Sequence, residues 1–168
     1  YVIMVGGWSY RKGCDLIVEA LKDSNLRFLH VGGIVDLEFP AYQNFTHVGS
    51  VDQSLLVNYY NASKIALLPS REEGLAMVQA QAIACNLPLV GSIDSGAEDL
   101  KGMVEYPEFI TIIDEYTPEC VKNAIDCGLE KYDQLGNKFY AGSAIENLTW
   151  AAYGKRYSKF LTNIVPAK

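Results

Sequence analysis

The chain has 168 residues, enough for one domain with a sizeable core. Apolar residues make up 49% and charged residues 20%, an ordinary globular composition, and no apolar run approaches the roughly 20 residues of a membrane-spanning helix. The net charge of −6 leaves no basic surplus to neutralise phosphates, which argues against nucleic acid as a partner.

In chain order, residues 1–5 (YVIMV) read as a buried strand that ends in Gly6-Gly7. A domain seldom opens inside a core strand, so a boundary with a preceding domain is expected here. The segment GGWSYRKGCD leads into a helix with apolar residues at 16, 17, 20 and 21. Residues 26–33 form a second strand ending in two glycines, and residues 34–43 are loop with a partial helix. Residues 45–50 are a third strand, after which Ser50 or Asp52 can cap the helix SLLVNYYNAS. Residues 64–70 are a fourth strand, and a helix over the apolar run Leu75 to Cys85 follows. LPLVGS is a fifth strand, and SIDSGAEDL is a glycine loop opening a short helix. Residues 109–114 are the sixth strand. Thr117 at the N-cap, Pro118 in the first turn and Glu119 next open a further helix with Val121, Ala124, Ile125 and Gly128 inward. The aromatic C-terminal stretch, 139–165, is helical and expected to fold back across the domain, with Trp150 and Tyr153 as packing residues.

Short buried strands alternating with helices specify a parallel sheet covered on both faces. With right-handed crossovers this is a Rossmann-like, doubly wound α/β domain of about six strands. Ligands in such folds lie beyond the carboxyl ends of the strands. That rim carries residues 6–13, 32–33, 47–51, 70–75 and 92–97. The four cysteines contain no CxxC pair and only two histidines accompany them, so no zinc site is expected and the thiols read as reduced.

The stretch PSREEGLAMVQAQAIACNLPLV, residues 69–90, concentrates the signal. Two acids and a glycine precede an apolar helix whose first N–H groups lack intrahelical acceptors, which makes an anion site flanked by carboxylates. Gln79 and Gln81 lie roughly 200° apart at about 100° per residue, so one solvent face cannot hold both. At least one of them must meet a group that needs an amide. On the same rim Arg11, Lys12 and Gly13 place two cations beside a helix start, which suits a pyrophosphate. Neither GxGxxG nor GxxxxGK[ST] is present. His30 reads as core and His47 as a structural strand residue.

PSxxEG followed by an apolar helix and xxPLV, with KG in register upstream, resembles the donor site of the retaining GT-B glycosyltransferases of group 1, the glycogen-synthase-like enzymes. The resemblance runs from the first strand to the final helix. It implies the C-terminal, donor-binding domain of a two-domain enzyme whose own N-terminal domain supplies the acceptor site. It implies a nucleotide-diphospho sugar donor, a saccharide or lipid-linked acceptor, no metal and no cofactor beyond the donor. Lys12 corresponds to the lysine on the donor phosphates, and Arg11 takes the second charge, since Gly7 stands where the family often has arginine. Glu73 corresponds to the acid that holds the transferred sugar, with Gly74, Leu75 and Ala76 supplying backbone N–H groups. Catalytic roles therefore fall to Glu73 and Lys12. Gly6, Gly7, Gly32, Val48 and Val51 fall along the phosphate and base sites.

The family's second acid, after seven intervening residues, is replaced by Gln81. Eight helical residues rise about 12 Å, the reach from sugar to ribose, so Gln81 is expected to contact the ribose with an amide. Losing the charged hydrogen bond costs about 1–2 kcal/mol. That departure favours, as an alternative, a non-catalytic nucleotide-sugar-binding module; a sugar-nucleotide epimerase of the same architecture is another. The expected location is cytoplasmic. Analogy alone offers polysaccharide assembly at the cytoplasmic face of an inner membrane, with the full-length protein peripheral there. The isolated domain is expected to be inactive.

Overall fold

The structure, a computed structural model, describes residues 1–164. Six four-residue strands form one sheet: β1 (Val2–Val5), β2 (Phe28–Val31), β3 (Phe45–Val48), β4 (Ile65–Leu68), β5 (Leu89–Ser92) and β6 (Ile110–Ile113). All pairings are parallel and the order is β3-β2-β1-β4-β5-β6. Helices α1 (Cys14–Leu21), α2 (Leu56–Asn61), α3 (Met77–Ala84), α4 (Ala97–Lys101), α5 (Pro118–Leu135) and α6 (Trp150–Ile164) follow in sequence.

The strands alternate their side chains between two cores. Ile3, Val5, Leu29, Ala66, Leu89 and Ile110 point to one face, where Ala82 and Ile83 of α3 and Leu100 of α4 meet them. Val2, Met4, Phe28, Ile65, Leu67 and Val90 point to the other, under Ile17 and Leu21 of α1 and Val121 and Ile125 of α5. This is why the strands read as continuous apolar runs: both faces are covered. Gly128 lets α5 approach the sheet, because a Cβ there would stand 2.6 Å from Val90 Cγ2. The expected inner stripe of α5 is buried as read, and its Thr117 cap forms, the side chain accepting from the Cys120 N–H at 3.1 Å.

Three expectations are corrected. No helix forms among residues 34–43; that connection is held instead by a bridge between Trp8 and Ile34 and by the Trp8 indole donating to the Glu38 carbonyl. Helix α3 starts at Met77 rather than Leu75 and is not buried all round, since Ala76 is extended and Met77 and Ala84 are exposed. Of the stretch 139–165, Tyr140 and Ala141 are buried in the first core as read, residue 165 lies outside the described residues, and the last helix does not cross the sheet. It packs against the 142–148 turn segment, and Trp150 is 71% exposed rather than packed.

Candidate active site

The winding direction reverses between β1 and β4, which are neighbours. In open α/β sheets the crevice at such a reversal is where ligands lie. The loops that meet there are residues 6–13, after β1, and residues 69–76, after β4. They are tied together along their length. Gly13 adopts a left-handed conformation, φ 71°, and a Cβ on it would stand 2.2 Å from the Pro69 carbonyl oxygen. Only glycine fits so close a backbone crossing. The Arg71 N–H donates to the Arg11 carbonyl at 2.8 Å. The Arg71 guanidinium forks onto Asp15 at 2.7 and 2.8 Å, donates to the Tyr10 carbonyl and lies 3.9 Å from the Tyr10 ring centroid. That pairing holds the guanidinium above its ordinary pKa.

The expected catalytic pair is in direct contact. Lys12 Nζ donates to Glu73 Oε2, and both side chains are mostly shielded, 12% and 18% exposed. Arg11 is the outer member, 53% exposed, donating to the Glu72 carbonyl at 2.9 Å and reaching Glu73 Oε2 at 3.5 Å. Glu72 itself is exposed, as read.

The acid-bearing loop is braced from below by residues the sequence did not single out. The Glu73 N–H donates to the Asp94 carbonyl at 3.0 Å. The Ser92 hydroxyl donates to the Ser70 carbonyl at 2.5 Å, and the Tyr116 hydroxyl donates to Asp94 Oδ2 at 2.6 Å and lies 3.1 Å from the same Ser70 carbonyl. Burial, then the bond to Asp94, pushes the Tyr116 phenol up, keeping it protonated as a donor. Gly96, φ 73°, brings its loop against Gly74 and Leu75; a Cβ would lie 3.1 Å from the Gly74 carbonyl oxygen. Gln79 is the amide-requiring glutamine: it is buried, and its Nε2 donates to the Ser95 carbonyl at 2.7 Å. Among the described residues, the N–H groups of Gly74, Leu75, Ala76 and Met77 find no acceptor within the protein. They line an unpaired row beside Glu73.

Two hollows border this row. A cleft of about 380 Å³ is walled by Arg71, Glu73, Gly74, Leu75, Asp94 and Asp99 among others. An apolar one of about 340 Å³ lies between Leu75, Ala76 and Met77 and the start of α6, Trp150 and Tyr153.

The other expected site residues fall into two further groups. Gly6, Gly32 and Val48 meet at the ends of β1, β2 and β3. The Gly32 N–H donates to the Val48 carbonyl at 3.0 Å, and a Cβ on Gly32, φ 151°, would strike the Gly6 carbonyl oxygen. Gly7 abuts Val35, and Val51 packs on the core. The Gly6 carbonyl accepts from His30 Nε2 at 2.8 Å, and His30 Nδ1 faces His47 Nδ1 at 2.9 Å. With Nε2 donating, neutral His30 uses Nδ1 as the acceptor, so His47 is the donor of that pair. Both histidines are thus structural. Gln81 lies on α3, its Oε1 3.3 Å from the Tyr60 hydroxyl, which is equally close to the Val78 carbonyl. No cluster of three or more metal-binding side chains occurs among the described residues. All four thiols are free, and burial pushes Cys14 up to about 12.

Comparison with known proteins places this geometry. The sequence model of "Glycosyl transferases group 1" matches residues 1–126. The uncharacterized glycosyltransferase MJ1178 of Methanocaldococcus jannaschii is 25% identical over 105 residues, covering 58% of this chain and 30% of that one. Among solved structures, sucrose-phosphate synthase from Thermosynechococcus elongatus superposes with TM-score 0.71 at 20% identity, over 97% of this chain and 45% of that one. The pneumococcal O-GlcNAc transferase GtfA, solved with UDP and GlcNAc, gives 0.66 at 16%, over 98% and 36%. The C-terminal domain of the group 1 glycosyl transferase LpcC of Francisella tularensis gives 0.61 at 16%, over 83% and 86%. The chain thus spans less than half of the longer proteins and most of the single domain. Sheet order, rim loops and the match over residues 1–126 agree: this chain belongs to the group 1 glycosyl transferases.

Proposed function

We propose that residues 1–168 are the donor-binding domain of a retaining glycosyltransferase that uses a nucleotide-diphospho sugar. The observation that carries this reading is the juxtaposition of Lys12, Arg11, Glu73 and the unpaired N–H groups of Gly74 to Met77 at the β1/β4 reversal. Cations and free N–H groups suit a diphosphate, and the carboxylate suits sugar hydroxyls. In transfer, the bond from the sugar's anomeric carbon to the diphosphate oxygen breaks and the acceptor oxygen bonds that carbon on the same face. The acceptor's proton passes to the departing phosphate. Lys12, Arg11 and the N–H row stabilise the charge that builds on the leaving group. Glu73 fixes the sugar's position. Gly6, Gly7, Gly32, Val48 and Val51 border the nucleotide end, and the Gln81 amide meets the ribose. The catalytic cleft is completed by a second domain, which the 45% coverage of sucrose-phosphate synthase leaves room for. The acceptor is a saccharide or lipid-linked glycan, and the setting is cytoplasmic.

Titration with a panel of nucleotide sugars tests the reading. Lys12→Ala in the intact natural protein is expected to reduce transfer at least a hundredfold while the protein still folds. Undiminished turnover removes Lys12 from the mechanism.

Gln81 favours one other reading, a non-catalytic nucleotide-sugar-binding module. It lacks the second carboxylate. Sugar transfer by the intact protein decides against that.

A further inference from the structure

Lys12 and Glu73 have opposite tasks in the reading above, yet here they hold each other. Lys12 Nζ donates to Glu73 Oε2, and Arg11 approaches the same oxygen at 3.5 Å. Both cations assigned to the diphosphate therefore converge on a single carboxylate oxygen. Glu73 is followed directly in the chain by the N–H groups of Gly74 to Met77, which find no acceptor among the described residues. A carboxylate oxygen between two cations is chemically close to a phosphate oxygen in the same place.

We infer that Glu73 is a placeholder for the diphosphate: it neutralises Lys12 and Arg11 in the empty site and is released to the sugar hydroxyls only when the diphosphate takes those cations over. The inference rests on the donor-binding reading. Electrostatics gives it direction. Lys12 is mostly shielded, and a shielded cation without a counter-ion is costly. The pair therefore stabilises the empty site, and a diphosphate must displace it.

The thermodynamic consequence separates the diphosphate from the sugar. A nucleoside diphosphate without sugar must break the Lys12–Glu73 pair, and the freed carboxylate gains nothing in return. A nucleotide sugar breaks the same pair but gives Glu73 hydroxyl donors to accept from. Glu73 thus imposes a penalty on the sugarless product and refunds it on the donor. It favours departure of the spent nucleotide and loading of the charged one, a discrimination located in one side chain. The bracing of Glu73 by the Asp94 carbonyl, and of its loop by Ser92 and Tyr116, keeps the backbone fixed while the carboxylate changes partners.

The test is isothermal titration of the intact natural protein with UDP, GDP and ADP and with the matching glucose nucleotides. Glu73→Gln is expected to bind the preferred nucleoside diphosphate about fivefold tighter than wild type, the equivalent of about 1 kcal/mol for a partly exposed ion pair. The same variant is expected to bind the nucleotide sugar no tighter, so the preference for donor over diphosphate falls. Glu73→Ala repeats the sign if Gln is poorly accommodated, and thermal melts check that both fold. Unchanged or weakened diphosphate binding in both variants overturns the placeholder role. Lys12→Ala tests the underlying reading separately: it weakens diphosphate and donor alike. If Lys12→Ala weakens binding and Glu73→Gln does not tighten it, the inference fails and the donor-site reading stands. If Lys12→Ala leaves both affinities unchanged, both fail.

Discussion

His30 shows how a single residue couples the rim to pH. It is fully buried between Trp8, Phe39 and His47, and it holds the Gly6 carbonyl. Burial lowers its pKa below the ordinary 6.5, only partly opposed by the bond to Gly6. In the unfolded chain His30 titrates near that ordinary value, so as pH falls below 6.5 the unfolded state binds a proton that the folded state refuses. The stability contribution is full above the unfolded pKa and declines from there down to the folded one. Urea unfolding at pH 7.5 and 5.5 should therefore show a larger loss in wild type than in His30→Gln. Equal losses would mean that His30 is not the group responsible. Sequence revealed His30 as core because it interrupts an apolar strand run. It did not reveal the partners of Gln79, Ser92, Tyr116 or Arg71, whose contacts join segments 16, 22, 46 and 56 positions apart. Serine, tyrosine and glutamine carry no local pattern that announces such a bond. Lys12 and Glu73 stand out in the sequence as site candidates through the rim position of their loops and the resemblance of KG and PSxxEG to the group 1 pattern, but their attachment to one another does not.

At the scale of elements, hydrophobic periodicity fixed existence and type better than limits. All six strands form in the order read, each shorter by one to four residues: β1 and β5 at the amino end, β3 at the rim, and β2, β4 and β6 at both ends. At the rim the trimming has a cause: Gly32-Gly33 and the Pro69-Ser70 turn leave the ladder to make loops. Helix α3 started late for a similar reason. Leu75 and Ala76 extend the apolar pattern, but Ala76 is extended backbone and Leu75 faces the cleft. The start of α5 was the clearest, since cap, proline and acid all agree. Its cap makes a firm prediction. Thr117→Ala removes the acceptor for the Cys120 N–H and should cost about 1 kcal/mol. For a domain of this size that is a fall of about 2–4 °C in Tm, read by circular dichroism. An unchanged Tm would show that water serves the Cys120 N–H equally well.

Over the whole molecule, the sheet and its two cores are complete without α6. Trp150, Tyr153, Tyr157, Phe160 and Leu161 recur at helical spacing on that helix, and all are exposed. Tyr153 stacks on Tyr157 at 6.1 Å and Trp150 meets Tyr153 edge-on at 6.0 Å, so the aromatics touch one another more than they touch the domain. Among the described residues, Trp150, Tyr153 and Arg156 of the helix face Leu75 to Met77 across the apolar hollow. Burying such a stripe would yield about 25 cal/mol per Å² of apolar surface, a gain the domain alone does not collect. Deleting residues 150–168 from the isolated domain should therefore move Tm by no more than about 2–4 °C, since the described residues of the helix pack little against the domain. The same deletion in the intact protein should cost far more if the proposed second domain covers the stripe, and it should also disturb donor binding through the loss of one wall beside Glu73. Differential scanning calorimetry of the four proteins compares the two costs directly. Equal small losses in both contexts would leave the stripe uncovered in the intact protein, and would remove α6 from the argument for a second domain.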